Sequence, residues 1–145
     1  MRKYLFIPTI QIVFLIVSSC SYNSVKKIKA DYFDIGLGQS LYSGNDKVEK
    51  ETVQSLVDAY NDIKYIGQTN QQINYEKAIT IIFIYNDQIS GTLVIDDKGI
   101  FNLSDSVENY QIEPNNDIYK LAKDIYKDLK RSEEHTSELQ SPLDI

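Results

Sequence analysis

The feature that most constrains the fold is the stretch AITIIFIYN, residues 78–86, in which both alternating sets of side chains are largely apolar. In a β-strand, the odd-numbered positions from 79 to 85 would face one side of the sheet, and the even-numbered positions from 80 to 84 would face the other. A strand that is apolar on both faces is typical of the interior of a sheet. We therefore predict a central strand that helices cover on at least one side.

Short turns connect this strand to further strands downstream. The dipeptide DQ at 87–88 marks a turn, and ISGTLVID at 89–96 predicts the return strand. DDKG at 96–99 is a strong turn signal, in which Gly99 can adopt a positive φ. Two more strands are predicted, IFNL at 100–103 and NYQIE at 109–113. Because such short turns join antiparallel neighbours, these segments predict an antiparallel meander.

The chain before residue 78 predicts one strand and one helix. DYFDIGLGQSLYS at 31–43 suggests an opening strand that bends near Gly36 and Gly38, and residues 64–77 predict a polar connection with a possible short strand. Residues 45–63 predict a helix whose start fits a capping box formed by Asp46 and Glu49. Its apolar stripe has helical spacing and consists of Val53, Leu56, Val57 and Tyr60.

A second helix is predicted at 117–130, after a break at Pro114. Its apolar positions also keep the helical spacing: Ile118, Leu121, Ala122, Ile125, Tyr126 and Leu129. The sum is an α+β fold in the order β-α-β-β-β-β-α, with an antiparallel meander of about four to five strands and both helices packed on one face. We expect a single domain of this kind over residues 31–130.

The N-terminus, MRKYLFIPTIQIVFLIVSSC, has the three parts of an export signal. Two basic residues precede an apolar stretch at 5–17, which is shorter than the roughly 20 residues of a membrane-spanning helix. The stretch ends in residues that resemble a bacterial lipobox: Val17, Ser18, Ser19 and Cys20. The resemblance implies removal of residues 1–19 and attachment of lipid to Cys20, which would hold the protein on the extracytoplasmic side of the cell membrane. An ordinary cleaved signal and an uncleaved anchor are the competing interpretations.

Residues 20–30 predict the lipidated cysteine followed by a polar tether. The tether contains Lys26, Lys27 and Lys29, which could lie against anionic lipid headgroups. Three lysines form a weak patch, and solubility is the simpler explanation of their presence. Cys20 is the only cysteine of the chain, so the domain has no disulfide and depends on its core for stability.

The composition of residues 21–130 excludes several functions. This span holds 12 lysines, no arginine and 17 acidic residues, which gives a formal net charge of −5 and argues against a nucleic-acid partner. It also contains no histidine, cysteine or tryptophan, which excludes Ser-His-Asp and Cys-His catalysis and histidine-based zinc sites. No pair of carboxylates is singled out. The sequence therefore predicts no catalytic residue, no metal site and no cofactor.

We expect instead a non-catalytic binding domain whose target is an envelope protein, a peptide or a cell-wall ligand. Tyrosine offers amphipathic contact area, so the candidates for a binding surface are Tyr32, Tyr42, Tyr65 and Tyr75. Two alternatives stay open. The chain could be a carboxylate-dependent hydrolase or the truncated N-terminal piece of a larger enzyme, or it could be a structural spacer.

The order of segments resembles a known type of domain. The helix at 45–63, the hairpin ITIIF…ISGTLVID, the strand that begins GIF and the stretch NYQIEPNNDIYKLAKDIYKDL together resemble a small exported domain of Gram-positive bacteria. That family is classed as a domain of unknown function and is common in lipoproteins. The resemblance covers roughly 31–130 and implies an exported α+β domain without implying any activity.

The C-terminal tail is unlike the rest of the chain. Residues 131–141, RSEEHTSELQS, resemble the translation of a common short-read sequencing adapter at all eleven codons. We therefore expect residues 131–145 to be adapter-derived and not native. They should extend the last helix or stand apart from the domain, and they should bury no core side chain.

Overall fold

One antiparallel sheet of eight strands forms the centre of the fold. The computed structural model describes residues 22–103 and 106–139. Its elements are β1 (Asn23–Ser24), β2 (Tyr32–Leu37), β3 (Ser40–Ser43), α1 (Lys50–Asn61), β4 (Lys64–Thr69), β5 (Ile79–Tyr85), β6 (Gln88–Ile95), β7 (Ile100–Leu103), β8 (Asn109–Ile112) and α2 (Ile118–Leu139). The strands lie in the order β1-β4-β8-β7-β6-β5-β2-β3.

The predicted central strand is confirmed. Strand β5 lies between β2 and β6, and Ile79, Ile81 and Phe83 are fully buried. Strands β5 to β8 follow one another in the sheet as an antiparallel meander. Gly99 closes the β6–β7 turn with φ of +79°, as the turn signal predicts. The α+β class is therefore confirmed.

The predicted number and order of strands are wrong. The observed order is β-β-β-α-β-β-β-β-β-α, with eight strands where about four to five were expected. The opening strand is in fact the hairpin β2–β3, because Gly38 adopts φ of +62° and reverses the chain. The polar connection contributes β4, and the two residues of β1 pair with it at the sheet edge.

Both helices pack on the same face of the sheet. The apolar stripe of α1 is buried as predicted, and it joins one core cluster with Ile118, Ala122 and Leu129 of α2. The sheet contributes side chains to this cluster from β2, β5, β6, β7 and β8: Phe33, Ile35, Ile79, Ile81, Phe83, Leu93, Ile95, Phe101 and Ile112. These contacts make the helix-covered face the main core of the domain.

The predicted capping box of the first helix is wrong. Helix α1 begins at Lys50, Glu49 occupies the N-cap position, and the N-cap side chain makes no capping hydrogen bond. Asp46 instead lies in the preceding turn with φ of +59°. Asp tolerates this left-handed conformation better than most residues. Asp46 therefore serves the turn and does not cap the helix.

The segment before β2 differs from the predicted polar tether, because residues 22–30 pack on the domain. Asn23 and Ser24 pair with β4, and Val25 is buried in the main core with 5% of its surface exposed. Asn61 binds the backbone of Ile28 through both groups of its side-chain amide. The packed part of the domain thus begins before the predicted boundary at residue 31. Residues Val17, Ser18, Ser19 and Cys20 lie outside the described residues.

The C-terminal tail continues helix α2, which runs to Leu139. Between 130 and 135 the side chains are exposed or half-buried, and among the side chains that the structure describes Leu129 is the last buried core residue. Over residues 131–135 this agrees with the expectation that the tail buries no core side chain, and residues 136–145 lie outside the described side chains. The adapter origin of the tail itself stays a prediction.

Candidate binding surface

The sheet face opposite the helices is open over strands β3, β2, β5 and β6. The cross-strand register places side chains of one face directly opposite each other, so they form rows that run across the strands. The first row is Tyr32, Ile84 and Ile89; the second is Ser43, Asp34, Ile82 and Thr92; and the third is Leu41, Gly36, Thr80 and Val94. We refer to these positions as the open face.

Apolar side chains on the open face are accessible to solvent. Ile89 exposes 67% of its surface and Leu41 exposes 57%. The other apolar members are half-buried: Tyr32, Ile82, Ile84 and Val94. Within the part of the chain that the structure describes, none of these side chains packs against the main core. A contiguous exposed patch of this kind is typical of an interaction site.

Gly36 allows Leu41 to lie across the open face. A Cβ atom at Gly36 would lie 3.1 Å from Leu41 Cδ1 and 2.8 Å from the carbonyl oxygen of Ser40. Any side chain at this position would therefore displace Leu41 or the backbone of β3. The glycine thus fixes where the exposed leucine side chain lies.

Asp34 places one carboxylate among these apolar groups. It pairs with Ser43 on one side and with Ile82 on the other. Its Oδ1 is shielded from solvent and accepts no hydrogen bond within residues 22–103 and 106–139. The described residues also give Asp34 no ion-pair partner. Because Oδ1 is shielded, a partner that supplied a cation or an N–H group would have to reach the carboxylate through its other oxygen.

One end of the same sheet face is covered. Ile73 comes from the segment that links β4 to β5 and packs on Ala78 and Ile100, with Val94 at the border of this small cluster. The linking segment therefore closes the face over β7 and over the end of β6 at Val94, and it leaves the face open over β3, β2, β5 and the rest of β6. The boundary between the covered and open parts runs along Val94.

Asp96 fixes this covering segment to the sheet. Its side chain is 1% exposed. Its Oδ1 accepts hydrogen bonds from the backbone N–H groups of Lys98 (3.0 Å) and Ile100 (2.9 Å), and its Oδ2 accepts one from Asn74 N–H (2.9 Å). Both oxygens are used within the fold, so this carboxylate has a structural role and is a poor candidate for an acid or base in catalysis.

Tyr119 of α2 makes a second contact with the covering segment. Its hydroxyl donates a 2.9 Å hydrogen bond to the carbonyl oxygen of Lys77. Burial raises the pKa of the Tyr119 hydroxyl above its usual value, and the nearby carboxylates of Asp97 and Asp96 raise it further. The raised pKa favours the protonated phenol, which is the form that can donate the hydrogen bond to Lys77.

The four tyrosines proposed as a binding surface do not lie together. Tyr32 is on the open face, whereas Tyr42 is on the helix-covered face, where its ring centroid is 5.5 Å from that of Tyr126. Tyr65 packs in an aromatic cluster with Phe101 and Tyr110, at centroid distances of 5.5 and 4.7 Å. Tyr75 is 69% exposed in the covering segment. Of the four, only Tyr32 contributes to the open face.

The sequence carries a signal for the open face in the isoleucines of the central strand, which the choice of tyrosines as binding candidates does not include. The even-numbered positions of the central strand include Ile82 and Ile84, and these are apolar although helices cover the other side. Leu41 and Ile89 complete the patch from neighbouring strands. An apolar second face on a strand, with only two helices to cover the sheet, indicates a surface left without a partner.

The groove where the two helices meet depends on the C-terminal tail. Its lining includes Val48 and Thr52 near the start of α1, Ile125 of α2, and Ser132 of the tail. Lys47 also forms an ion pair with Glu133. Because the tail is expected to be foreign to the protein, we assign no function to this groove.

No family model, curated protein or solved structure matches the chain. The resemblance to an exported Gram-positive domain therefore stays a prediction. Among the described residues there is no group of three or more side chains suited to hold a metal ion. Across those same residues, no helix combines the length and the apolar character needed to cross a membrane.

Proposed function

We propose that this protein is a lipid-anchored protein of a bacterial envelope whose α+β domain binds a polypeptide partner through the open face. The lipobox-like residues ending at Cys20 support the anchor. The single observation that supports the binding role is the solvent-accessible apolar patch formed by Tyr32, Leu41, Ile82, Ile84 and Ile89. Apolar side chains at this density are costly to leave in water, and a partner that covers them recovers that free energy.

The chemistry of the patch favours a polypeptide over a cell-wall sugar. A sugar ring buried against Ile84 and Ile89 would lose hydration of its hydroxyl groups without gaining hydrogen bonds from these side chains. A polypeptide can cover the isoleucines with apolar side chains and offer a cation or a backbone N–H group to Asp34. A binding role is also favoured because Asp96, the one acidic residue among the described residues that is buried as a whole, already accepts backbone hydrogen bonds on both carboxylate oxygens.

Photo-crosslinking in living cells tests the location of the surface. In one strain p-benzoylphenylalanine replaces Tyr32 of the full chain, and in a second strain it replaces Tyr75. Both positions are already aromatic, and Tyr75 lies on the covering segment outside the open face. The proposal predicts a crosslinked adduct of defined mass from position 32 that is absent from position 75. An adduct from position 75 alone would place the binding surface elsewhere.

Intact mass spectrometry of the membrane fraction tests the anchor. The proposal predicts a mature chain that begins at Cys20 and carries acyl chains on its sulfur. A mature chain with an unmodified Cys20, or one that keeps residues 1–19, would refute lipid anchoring. That result would leave the crosslinking test of the open face unaffected, because the two measurements depend on different parts of the chain.

A further inference from the structure

The chain packs on the domain from Asn23 onward, so only a very short link would join the domain to a lipid on Cys20. Strand β1 pairs with β4 from Asn23 onward. Asn61 Oδ1 accepts a 2.8 Å hydrogen bond from Ile28 N–H, and Asn61 Nδ2 donates a 3.1 Å hydrogen bond to the Ile28 carbonyl oxygen. Ser90 Oγ donates a 2.7 Å hydrogen bond to the carbonyl oxygen of Lys29. This segment is therefore part of the domain surface.

The length of the link limits how far the domain can stand from a bilayer. Only Ser21 and Tyr22 lie between Cys20 and Asn23. The three Cα–Cα steps that join Cys20 to Asn23 span at most about 3.6 Å each in an extended chain, or roughly 11 Å in total. This distance is close to the Debye length of about 8 Å at physiological salt. Asn23, where the packed segment begins, would therefore lie no more than about one and a half Debye lengths from the lipidated residue, which is near the range at which a charged membrane attracts lysine side chains.

We propose that the exposed surface of residues 22–29 docks on an anionic lipid bilayer once Cys20 carries lipid. The proposal rests on the lipid anchor proposed above. Residues 22–29 include no acidic residue, and the side chains of Lys26, Lys27 and Lys29 are all exposed. None of the three takes part in an ion pair with another described residue. Tyr22, also exposed, is a residue type enriched at membrane interfaces.

The packed arrangement changes how effectively the three lysines can attract a membrane. On a free tether they would keep their conformational entropy and would average over many distances from the membrane. On the packed segment their backbone positions are fixed, and Lys27 and Lys29 border an open groove beside α1 that leaves headgroups room to approach. The rest of the domain carries a net negative charge, whereas residues 22–29 carry three lysines and no acidic residue, so an anionic membrane favours an approach through this surface.

A fluorescence quenching experiment on the lipidated full chain tests the docking. After lipidation of Cys20 no free cysteine remains, so Ser24→Cys or Gln39→Cys provides a unique labelling site. Ser24 is exposed on the packed segment, and Gln39 is exposed in the β2–β3 turn, at the opposite end of β2 from Asp31. The labelled protein is reconstituted into phosphatidylcholine vesicles with or without 30% phosphatidylglycerol, and an aqueous quencher is added.

The proposal predicts that anionic vesicles protect the Ser24 label at least threefold relative to the Gln39 label. The variant Lys26→Gln/Lys27→Gln/Lys29→Gln should lose most of this protection, as should vesicles of phosphatidylcholine alone. Equal quenching of both labels in anionic vesicles would overturn the docking. So would protection that is unchanged by the triple variant and by lipid charge, because the lysines would then have no part in it.

Intact mass spectrometry of the same samples separates the two proposals. If Cys20 carries lipid and the Ser24 label is still fully quenched, the anchor stands and the docking is refuted. If Cys20 carries no lipid, the anchor itself fails. Far-ultraviolet circular dichroism of each variant confirms that the labelled domains keep their fold.

Discussion

Asn61 at the end of helix α1 holds Ile28 of the N-terminal segment through both backbone groups, as a neighbouring β-strand would. The two hydrogen bonds measure 2.8 and 3.1 Å and join residues 33 positions apart in the chain. Beside them, Ile28 packs near Gly91, where an added Cβ would lie 3.3 Å from the Ile28 side chain. This relationship converts a polar N-terminal stretch into part of the domain surface.

Asn61→Ala should release the N-terminal segment without unfolding the domain. Loss of both hydrogen bonds costs about 1–3 kcal/mol, so the segment should open roughly 5- to 150-fold more often. Limited trypsin digestion should then cleave faster at Lys26, Lys27 and Lys29. Gln54→Ala is the matched control, because Gln54 lies on the same helix and bonds only the exposed Asp58. Unchanged cleavage in the Asn61 variant would show that other contacts hold the segment.

Asp96→Asn should destabilise the β6–β7 turn and the covering segment. The amide of asparagine has only one acceptor oxygen. Its NH₂ group would therefore face a backbone N–H that now donates a hydrogen bond to the carboxylate, and two donors cannot bond to each other. We expect a loss of about 1–3 kcal/mol in the free energy of unfolding, measured by urea denaturation. Asp97→Asn is the control, because this half-exposed neighbour has one ion pair with Lys77 at 3.4 Å and should cost at most about 1 kcal/mol. Equal losses in the two variants would contradict the structural role of Asp96.

Gly99→Ala should cost more stability than Gly38→Ala, although both glycines have positive φ. An alanine Cβ at position 99 would lie 2.5 Å from Ile112 Cγ2, whereas at position 38 no atom lies within 4 Å. The backbone cost is about 1–2 kcal/mol at either site, and overpacking adds about 1–3 kcal/mol at Gly99. Thermal and urea unfolding of the two variants should therefore differ. Indistinguishable stabilities would mean that the Gly99 turn relaxes freely.

Tyr119→Phe should change how stability depends on alkaline pH. The pKa of Tyr119 is raised in the folded state, so the folded protein keeps this proton above pH 10 while the unfolded chain has begun to lose it. The contribution of Tyr119 is therefore complete below pH 10 and declines as the pH rises above it. The phenylalanine variant should lose about 0.5–1.5 kcal/mol at pH 7. Its deficit relative to the parent should shrink as the pH rises above 10, and a constant deficit would contradict the raised pKa.

The parts of the fold that are encoded locally could be predicted from the sequence. The meander from β5 to β8 follows from period-two apolar patterns and from a turn that ends in Gly99, and the stripe of α1 follows from helical spacing. These signals depend on residues a few positions apart. They indicate the same structure in isolation as in the complete domain, which is why the α+β class is correct.

The remaining parts depend on contacts between distant residues. Strand β1 has only two residues, and β4 carries a register shift between Tyr65 and Gln68, so neither has a clear periodic pattern. The packing of residues 22–30 includes two hydrogen bonds from Asn61 to Ile28, and nothing in the local sequence marks these residues as partners. Tyr42 and Tyr65 looked available for binding because their ring contacts with Tyr126 and Phe101 arise only when the helix and strands assemble.

The open face follows from the sequence only in part. The sequence shows that the second face of β5 is apolar. Whether another element covers that face depends on the whole fold. The covering segment with Ile73 reaches as far as Val94 and no further along the face. Ile82 and Ile84 are therefore left accessible by the length and path of one connection, which no pattern within the strand determines.

The most direct test of the binding role is the effect of Ile89→Lys on photo-crosslinking from position 32. Ile89 lies in the same cross-strand row as Tyr32, and its side chain is largely exposed, so the substitution should leave the unfolding free energy within about 0.5 kcal/mol of the parent. An unpaired lysine buried against a partner costs at least about 1.4 kcal/mol, so the adduct should fall tenfold or more at limiting partner concentration. Val107→Lys places the same charge on an exposed residue between β7 and β8, outside the open face, and should leave the yield unchanged. A yield that is equal in both variants and in the parent would contradict binding through the open face.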